Sequence, residues 1–333
     1  MKNMSYLLVI TIVLMLLSAC SKNEIDVIDK YQYTFRLAET HPLDHPTTIA
    51  DFEFAKRVEE ETDGRIKIIV YANKELGEER EVIEQVGFGA IDFARVSVGP
   101  VTEVIDELNV LQLPYIYKSS EHMWEVLDGE IGDYFLKSVE KNGFIGLTWF
   151  DAGARNFYNT QKPIKTLEDL EGQNIRVMES SLMLDTIEAL GAQGTMLSYG
   201  LVYSGLQTGM IDGAENNYPS YVTSSHLEVA KYYTLDEHVR VPEIVIASQK
   251  ALEHISQEDW EIIQRVALET KEYQKELYVK KDKEFLDIMI NAGVEIYYLE
   301  DKSEFIEAVQ PIYDQYSEYK NIIDEIIKMG EKY

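Results

Sequence analysis

Apolar and polar residues alternate from the first turn-free stretch onward. Tyr31-Gln-Tyr-Thr-Phe-Arg-Leu-Ala38 reads as a strand, and His41-Pro-Leu-Asp-His-Pro46 as a loop leading into a helix. That helix spans about Thr47 to Thr62, carries Phe52, Ala55 and Val58 at helical spacing, and stops at Asp63-Gly64. Arg65 to Tyr71 is a second strand. Glu78 to Phe88 is a helix that Gly89 ends, and Ala90 to Arg95 follows as a strand. Helix and strand keep alternating, which predicts an α/β fold on a mainly parallel sheet. Ser256 to Ala292 contains neither Pro nor Gly and opens on the capping pattern Ser256-Gln-Glu-Asp259. It predicts one helix of about 55 Å at 1.5 Å per residue. Trp260, Ile263, Ala267, Tyr273 and Leu277 are its core positions, and the stripe lapses at Lys280-Lys281, which excludes a sustained heptad seam. Glu304 to Tyr333 reads as helix packing back on the body.

The start of the chain has another pattern. Lys2 precedes an apolar run from Tyr6 to Leu17, too short to span a bilayer comfortably, so residues 1–19 read as a signal peptide. The ending Leu17-Ser-Ala-Cys20 resembles a bacterial lipobox, which would make Cys20 the lipidated first residue of a membrane-anchored extracytoplasmic protein. Cys20 is the only cysteine, so the chain holds no internal disulfide. Residues 20–30 form a polar tether.

Charge narrows the function. With 31 basic and 59 acidic residues the formal net charge is −28, which argues against nucleic acid as a partner. The six histidines show no metal-ligand spacing, and there is no Gly-x-Ser-x-Gly and no phosphate loop. No cofactor, metal or catalytic constellation is expected, and carboxylate pairs carry no weight among so many acids.

Two arginines stand out against that acidity. Arg155 follows the bend Gly153-Ala154, and Arg176 lies in the strand-like Asn174-Ile-Arg-Val177. Between them Pro163 closes a loop and Thr166-Leu-Glu-Asp169 begins a helical turn. A guanidinium at a strand end can fork onto a carboxylate. Farther apart, Gly89-Ala-Ile-Asp-Phe-Ala-Arg95 and Gly209-Met-Ile-Asp-Gly-Ala-Glu215 share one frame, each after a helix. Equivalent halves would send Arg95 and Glu215 toward one cleft at the carboxyl ends of their strands.

The stretch Gly153–Ser180 resembles the central signature of the DctP-like solute receptors of TRAP transporters. Leu76-Gly-Glu-Glu-Arg80, Leu206 to Asn216 and Glu228-Val-Ala-Lys-Tyr-Tyr233 are similar to other stretches of that family, and the likeness runs over about residues 33–300. The resemblance implies a two-domain, periplasmic-binding-protein-like (venus flytrap) receptor, not an enzyme, braced by the long helix. It also implies that Arg176 pairs with a ligand carboxylate and that Asn216 binds ligand. The expected domains are 31–152 plus 241–290 and 153–240 plus 291–333. Arg155, Arg95, His45, Glu78 and Tyr218 complete the candidate site, with Glu215 holding an arginine. The run Asp212-Gly-Ala-Glu-Asn-Asn217 with Pro219-Ser-Tyr221 resembles the branch that binds sugar acids such as uronates, aldonates and diketogulonate. A C4-dicarboxylate, with Arg95 or Arg155 as second anchor, is the alternative ligand, and a carbohydrate-active lipoprotein enzyme the alternative class. The implied partners are a small organic acid and the membrane permease subunits.

Overall fold

The structure, a computed structural model, describes residues 31–333; the leader, the tether and Cys20 lie outside the described residues. The first lobe opens as the alternation predicts. β1 (Tyr33–Ala38), α1 (Pro46–Glu61), β2 (Ile66–Tyr71), α2 (Glu79–Phe88) and β3 (Phe93–Ser97) follow in turn, and β1 pairs in parallel with both β2 and β3. α1 starts where His45 accepts the Thr47 N–H and Pro46 sets the first helical φ. α2 stops at Gly89, whose φ of +79° suits a residue without Cβ. One core position differs from expectation. Phe52 is 43% exposed, whereas Phe54 is buried. The buried face of α1 is centred on Ala50, Phe54 and Val58, and Phe52 points about 200° away from Phe54.

α3 (Val98–Thr102), α4 (Ser120–Leu127) and α5 (Glu130–Ser138) lead to β4 (Phe144–Phe150). The chain then passes through residues 151–154 into β5 (Arg155–Asn159) of a second sheet. β6 (Asn174–Val177), α6 (Ser181–Ala189), β7 (Gln193–Met196), α7 (Val202–Thr208), β8 (Gly213–Asn216), α8 (Tyr218–Thr223), α9 (His226–Val229) and β9 (Tyr232–Val239) build that lobe. Thr166 and Asp169 form the expected capping box between β5 and β6. β10 (Glu243–Ser248) returns to the first sheet, whose order is β2-β1-β3-β10-β4. α10 (Gln257–Asn291) is the long helix, and β11 (Glu295–Tyr298) joins the second sheet, ordered β11-β9-β5-β8-β6-β7. α11 (Ser303–Gln315) packs on α6, and α12 (Lys320–Met329) reaches back to α4.

The sheets are less parallel than the alternation implied. β10 runs antiparallel to β3 and β4, and β5 runs antiparallel to β8 and β9. The cause is the double crossing. β4 continues into β5 and β9 continues into β10 in opposite directions, so these strands lie antiparallel to each other in both sheets.

α10 lies over this crossing, its first half on α1 and β4 and its later part on α8. Ile263 and Ala267 are fully buried, Trp260 and Tyr273 pack partly buried against the first lobe's core, and Leu277 is half-buried beside buried Tyr278. Gln274 holds the crossing strand by both ends of its amide: the Asp151 N–H donates to Oε1 and Nε2 donates to the Asp151 carbonyl, each at 2.8 Å. The Asp151 carboxylate accepts from Trp124 Nε1 (2.8 Å) and from the Gly153 N–H (2.7 Å). Beyond this knot, the largest cluster of buried apolar side chains continues from Val96 and Trp149 to Phe157, Ile175 and Phe305, so the lobes share apolar packing.

Candidate functional site

Three neighbouring strands, β5, β8 and β6, bring the conspicuous polar residues of the second lobe together. Asn156 lies opposite Asn216, and Arg176 lies beside Ala214, so Arg155, Asn216 and Arg176 gather at one end of the sheet. They face a cavity of about 30 Å³ between the lobes. Arg155, Arg176, Tyr199, Asn216, Asn217 and Ser220 line it from the second lobe, with Met178; Thr40, His41, Glu79, Ser97 and Glu243 line it from the first.

The two arginines differ in what surrounds them. Arg155 forks onto the buried Glu215 carboxylate with Nε and with Nη2 (2.8 Å to Oε1), and its Nη1 donates to Asn216 Oδ1 at 2.9 Å. His238 lies behind, with Nε2 3.6 Å from Glu215 and Nδ1 2.7 Å from Asp236. Burial opposes every charge in this row, yet the partners outweigh it. Arg155 is held above its ordinary pKa by Glu215; Glu215 is held down at about 2 by Arg155 and His238; His238 is raised to about 9 by Asp236 and Glu215. Arg155 is therefore neutralised in place. Because arginine only donates, its bond to Asn216 fixes that amide with Oδ1 inward and leaves the NH₂ for the cavity.

Arg176 has no such partner. It is 3% exposed, its Nε donates to the Leu197 carbonyl at 2.8 Å, and among the described residues no carboxylate lies within ion-pairing distance. Burial lowers its pKa from the ordinary value, and the Arg155 charge adds to the effect. It remains a cation, since arginine does not deprotonate in proteins. A buried, uncompensated guanidinium beside an amide donor is a receptor for an anion.

The first lobe reverses the pattern. Arg95 is fully buried and donates to Glu39 (2.7 Å from Nε), Glu243 (2.5 Å) and Glu79 (3.2 Å), and it approaches Thr40 and His41. It therefore stands behind the cavity wall and organises it. His45, fully buried at the start of α1, stacks on His41 with ring centroids 3.8 Å apart. Its Nε2 is 3.3 Å from Ser220 Oγ of the other lobe. Burial first, and nearby positive or potentially positive groups second, lower the pKa of both histidines. Glu78 spans the lobes, accepting the Gly200 N–H at 3.1 Å. With Gln112 donating to Ser180 (3.1 Å) and the Ser181 N–H donating to Glu103 (2.7 Å), these contacts close the cleft.

Of the expected site residues, Arg155, Arg176 and Asn216 line the cavity. Glu215, Arg95 and His45 stand directly behind it, and Glu78 ties its mouth. Tyr218 lies elsewhere, on a larger cavity of about 230 Å³ at the crossing with Asp151, Arg240, Tyr278 and Asp282. That space is ringed by Asp151, Glu237 and Asp282 against Arg240 and Lys283, and offers an anion no net attraction. Thr40, His41, Ser97 and Glu243 were missed. Thr40 and His41 lie two and three residues past the end of β1 and Ser97 ends β3, so the strand-end rule applied to Arg95 points to them too.

The model of the bacterial extracellular solute-binding proteins, family 7 (DctP), matches residues 37–319. A solute-binding protein of Chromohalobacter salexigens is 42% identical over 276 residues, 83% of this chain and 82% of that protein. Among solved structures, a TRAP periplasmic solute-binding protein of Xanthobacter autotrophicus with bound β-D-galacturonate superposes with a TM-score of 0.86 at 38% identity. It covers 88% of this chain and 99% of its own. One from Chromohalobacter salexigens with bound D-glucuronate gives 0.85 at 39% identity, covering 89% and 99%. A buried arginine with no carboxylate partner among the described residues, facing a cleft between two lobes, is thus found on a chain that belongs to the DctP family, the extracellular solute receptors of TRAP transporters.

Proposed function

We propose that this receptor binds a monoanionic sugar acid, a hexuronate such as D-glucuronate or D-galacturonate, and hands it unchanged to a TRAP permease. One observation carries the reading: of the three arginines at the cleft, only Arg176 lacks a carboxylate partner among the described residues. Arg155 with Glu215, and His238 between Glu215 and Asp236, leave the second lobe with one uncompensated positive charge at the cavity. A single carboxylate satisfies Arg176 and the Asn216 amide. The rest of the ligand then meets Thr40, His41, Tyr199 and Asn217, which suit hydroxyl groups. The neighbours that hold galacturonate and glucuronate support the same class. A C4-dicarboxylate would need a second free cation, and Arg95 and Arg155 are both engaged.

The lobes are proposed to be two discontinuous domains, 31–152 with 241–290 and 153–240 with 291–333, that hinge at the crossing strands and close on ligand. Lipidation of Cys20 after removal of residues 1–19 would hold the receptor at the extracytoplasmic face of the membrane. The test is a thermal-shift and calorimetric panel of uronates, aldonates, C4-dicarboxylates and neutral hexoses. Ligand at 100 times its Kd adds about 2.7 kcal/mol of stability. A C4-dicarboxylate that stabilises more than any uronate refutes the ligand assignment. Conversion of the recovered ligand would refute a receptor role in favour of an enzyme.

A further inference from the structure

The acidic wall opposite Arg176 has a role of its own. Glu79 is the first residue of α2 and Glu243 the first of β10, and they converge on the end of β3: Glu243 lies opposite Ser97, and Glu79 Oε1 accepts the Ser97 N–H at 2.8 Å. One nitrogen of Arg95 serves both, at 3.2 Å and 2.5 Å. The rest of that guanidinium is taken by Glu39, Thr40 and His41. Three carboxylates thus share one cation. Among the described residues no hydrogen bond is made by Glu243 Oε1 or Glu79 Oε2, and both residues line the cavity.

We propose that Glu243, with Glu79 beside it, is a specificity-determining residue that turns away ligands carrying a second negative charge. The inference rests on reading the cavity as a sugar-acid site with the ligand carboxylate on Arg176. The far end of the ligand then meets this wall. A hydroxyl there donates to a free carboxylate oxygen. A second carboxylate meets like charge in a cleft walled by buried side chains, with Arg95 already saturated. The same two side chains therefore favour a polyol end and reject an acid end, a discrimination that attraction at Arg176 alone would not supply.

The test compares acids that differ in charge at that end, and D-gluconate, open-chain like D-glucarate, differs from it there alone. D-Glucarate is D-glucuronate, or D-gluconate, oxidised to the dianion. Calorimetry is run at pH 8, above the value of about 7 to which burial raises Glu243. The wild type is expected to bind glucarate at least about 100-fold more weakly than the better monoanion. Glu243→Gln should narrow that ratio at least about tenfold, chiefly by strengthening glucarate. Glu79→Gln, at a less buried position, should narrow it in the same sense and serves if Glu243→Gln unfolds. A wild type that binds glucarate as well as the monoanions, or that binds neither monoanion, overturns the proposal. So does a ratio unchanged in both variants. Gluconate bound over glucarate with no uronate binding keeps the filter and refutes only the uronate reading.

Discussion

Replacing Arg176 by Met should separate binding from stability. In the closed form the guanidinium is 3% exposed, with one hydrogen bond to a carbonyl and, among the described residues, no carboxylate within ion-pairing distance. Such a charge costs stability until ligand arrives, because its hydration is lost and nothing replaces it. Met keeps the stem and removes the charge. The ligand-free protein should therefore be as stable as wild type or gain up to about 2 kcal/mol. Binding behaves oppositely. Without Arg176 the ligand carboxylate is buried unpaired, and truncating one partner of such a pair costs about 2–5 kcal/mol, or roughly 30- to several-thousand-fold in affinity. Arg176→Lys keeps the charge but loses the planar fork, so most of that loss should persist. Arg155→Met provides the contrast. It strands Glu215, fully buried and normally forked by Arg155, and should destabilise the ligand-free protein by about 3–5 kcal/mol. Urea unfolding of ligand-free protein and calorimetry with D-glucuronate measure both quantities. An Arg176→Met protein that unfolds as readily as Arg155→Met, or binds within threefold of wild type, would refute the reasoning.

His238, raised from 6.5 to about 9, contributes stability that is complete below pH 6.5 and is lost as the pH rises through 9. Urea midpoints at pH 6, 7.5 and 9 should fall accordingly, by up to about 3 kcal/mol in total, and His238→Gln should flatten the fall. Glu215 works in the other direction: held at about 2, its contribution is present above 4.5 and lost as the pH falls through 2, so acid unfolding should begin earlier in Glu215→Gln. Small-angle scattering should show a smaller radius of gyration with saturating uronate. In Gly153→Ala, where φ is +64° and the new Cβ would lie 2.7 Å from Tyr278 Oη, closure should be impaired and stability lower by about 1–3 kcal/mol. Cys20→Ser should move the protein from the membrane to the soluble or secreted fraction with its unfolding midpoint unchanged.

Local features carried much of this in the sequence. Caps, glycine stops and helical spacing gave β1, α1, α2 and α10 to within a few residues, because those signals act over a single turn. Arg155, Arg176 and Asn216 were legible because a motif keeps them at fixed offsets. What each arginine pairs with was not. Glu39, Glu79 and Glu243 come from three distant segments, and only strand pairing reveals that all three point at Arg95. Tyr218 was drawn to the site by its neighbours in sequence. Asn217 lines the cleft, but α8 begins at the next residue and turns Tyr218 toward the crossing.

The clamp of Gln274 on the Asp151 peptide also bears on how closure can be measured. A rigid rotation leaves points on its axis in place and displaces others in proportion to their distance from it. With a helix side chain gripping both the N–H and the C=O of one crossing residue, the axis of the proposed closure should run close to that residue. Spectroscopic labels at exposed Glu121 and Glu272, both in the first proposed domain, should report an unchanging separation and serve as the reference. Labels at exposed Glu75 and Leu201, beside the Glu78–Gly200 contact, sit on opposite lever arms and should read the full stroke. Since Cys20 is the chain's one natural thiol and precedes both lobes, introduced cysteines at either pair can be labelled without ambiguity once Cys20 is replaced.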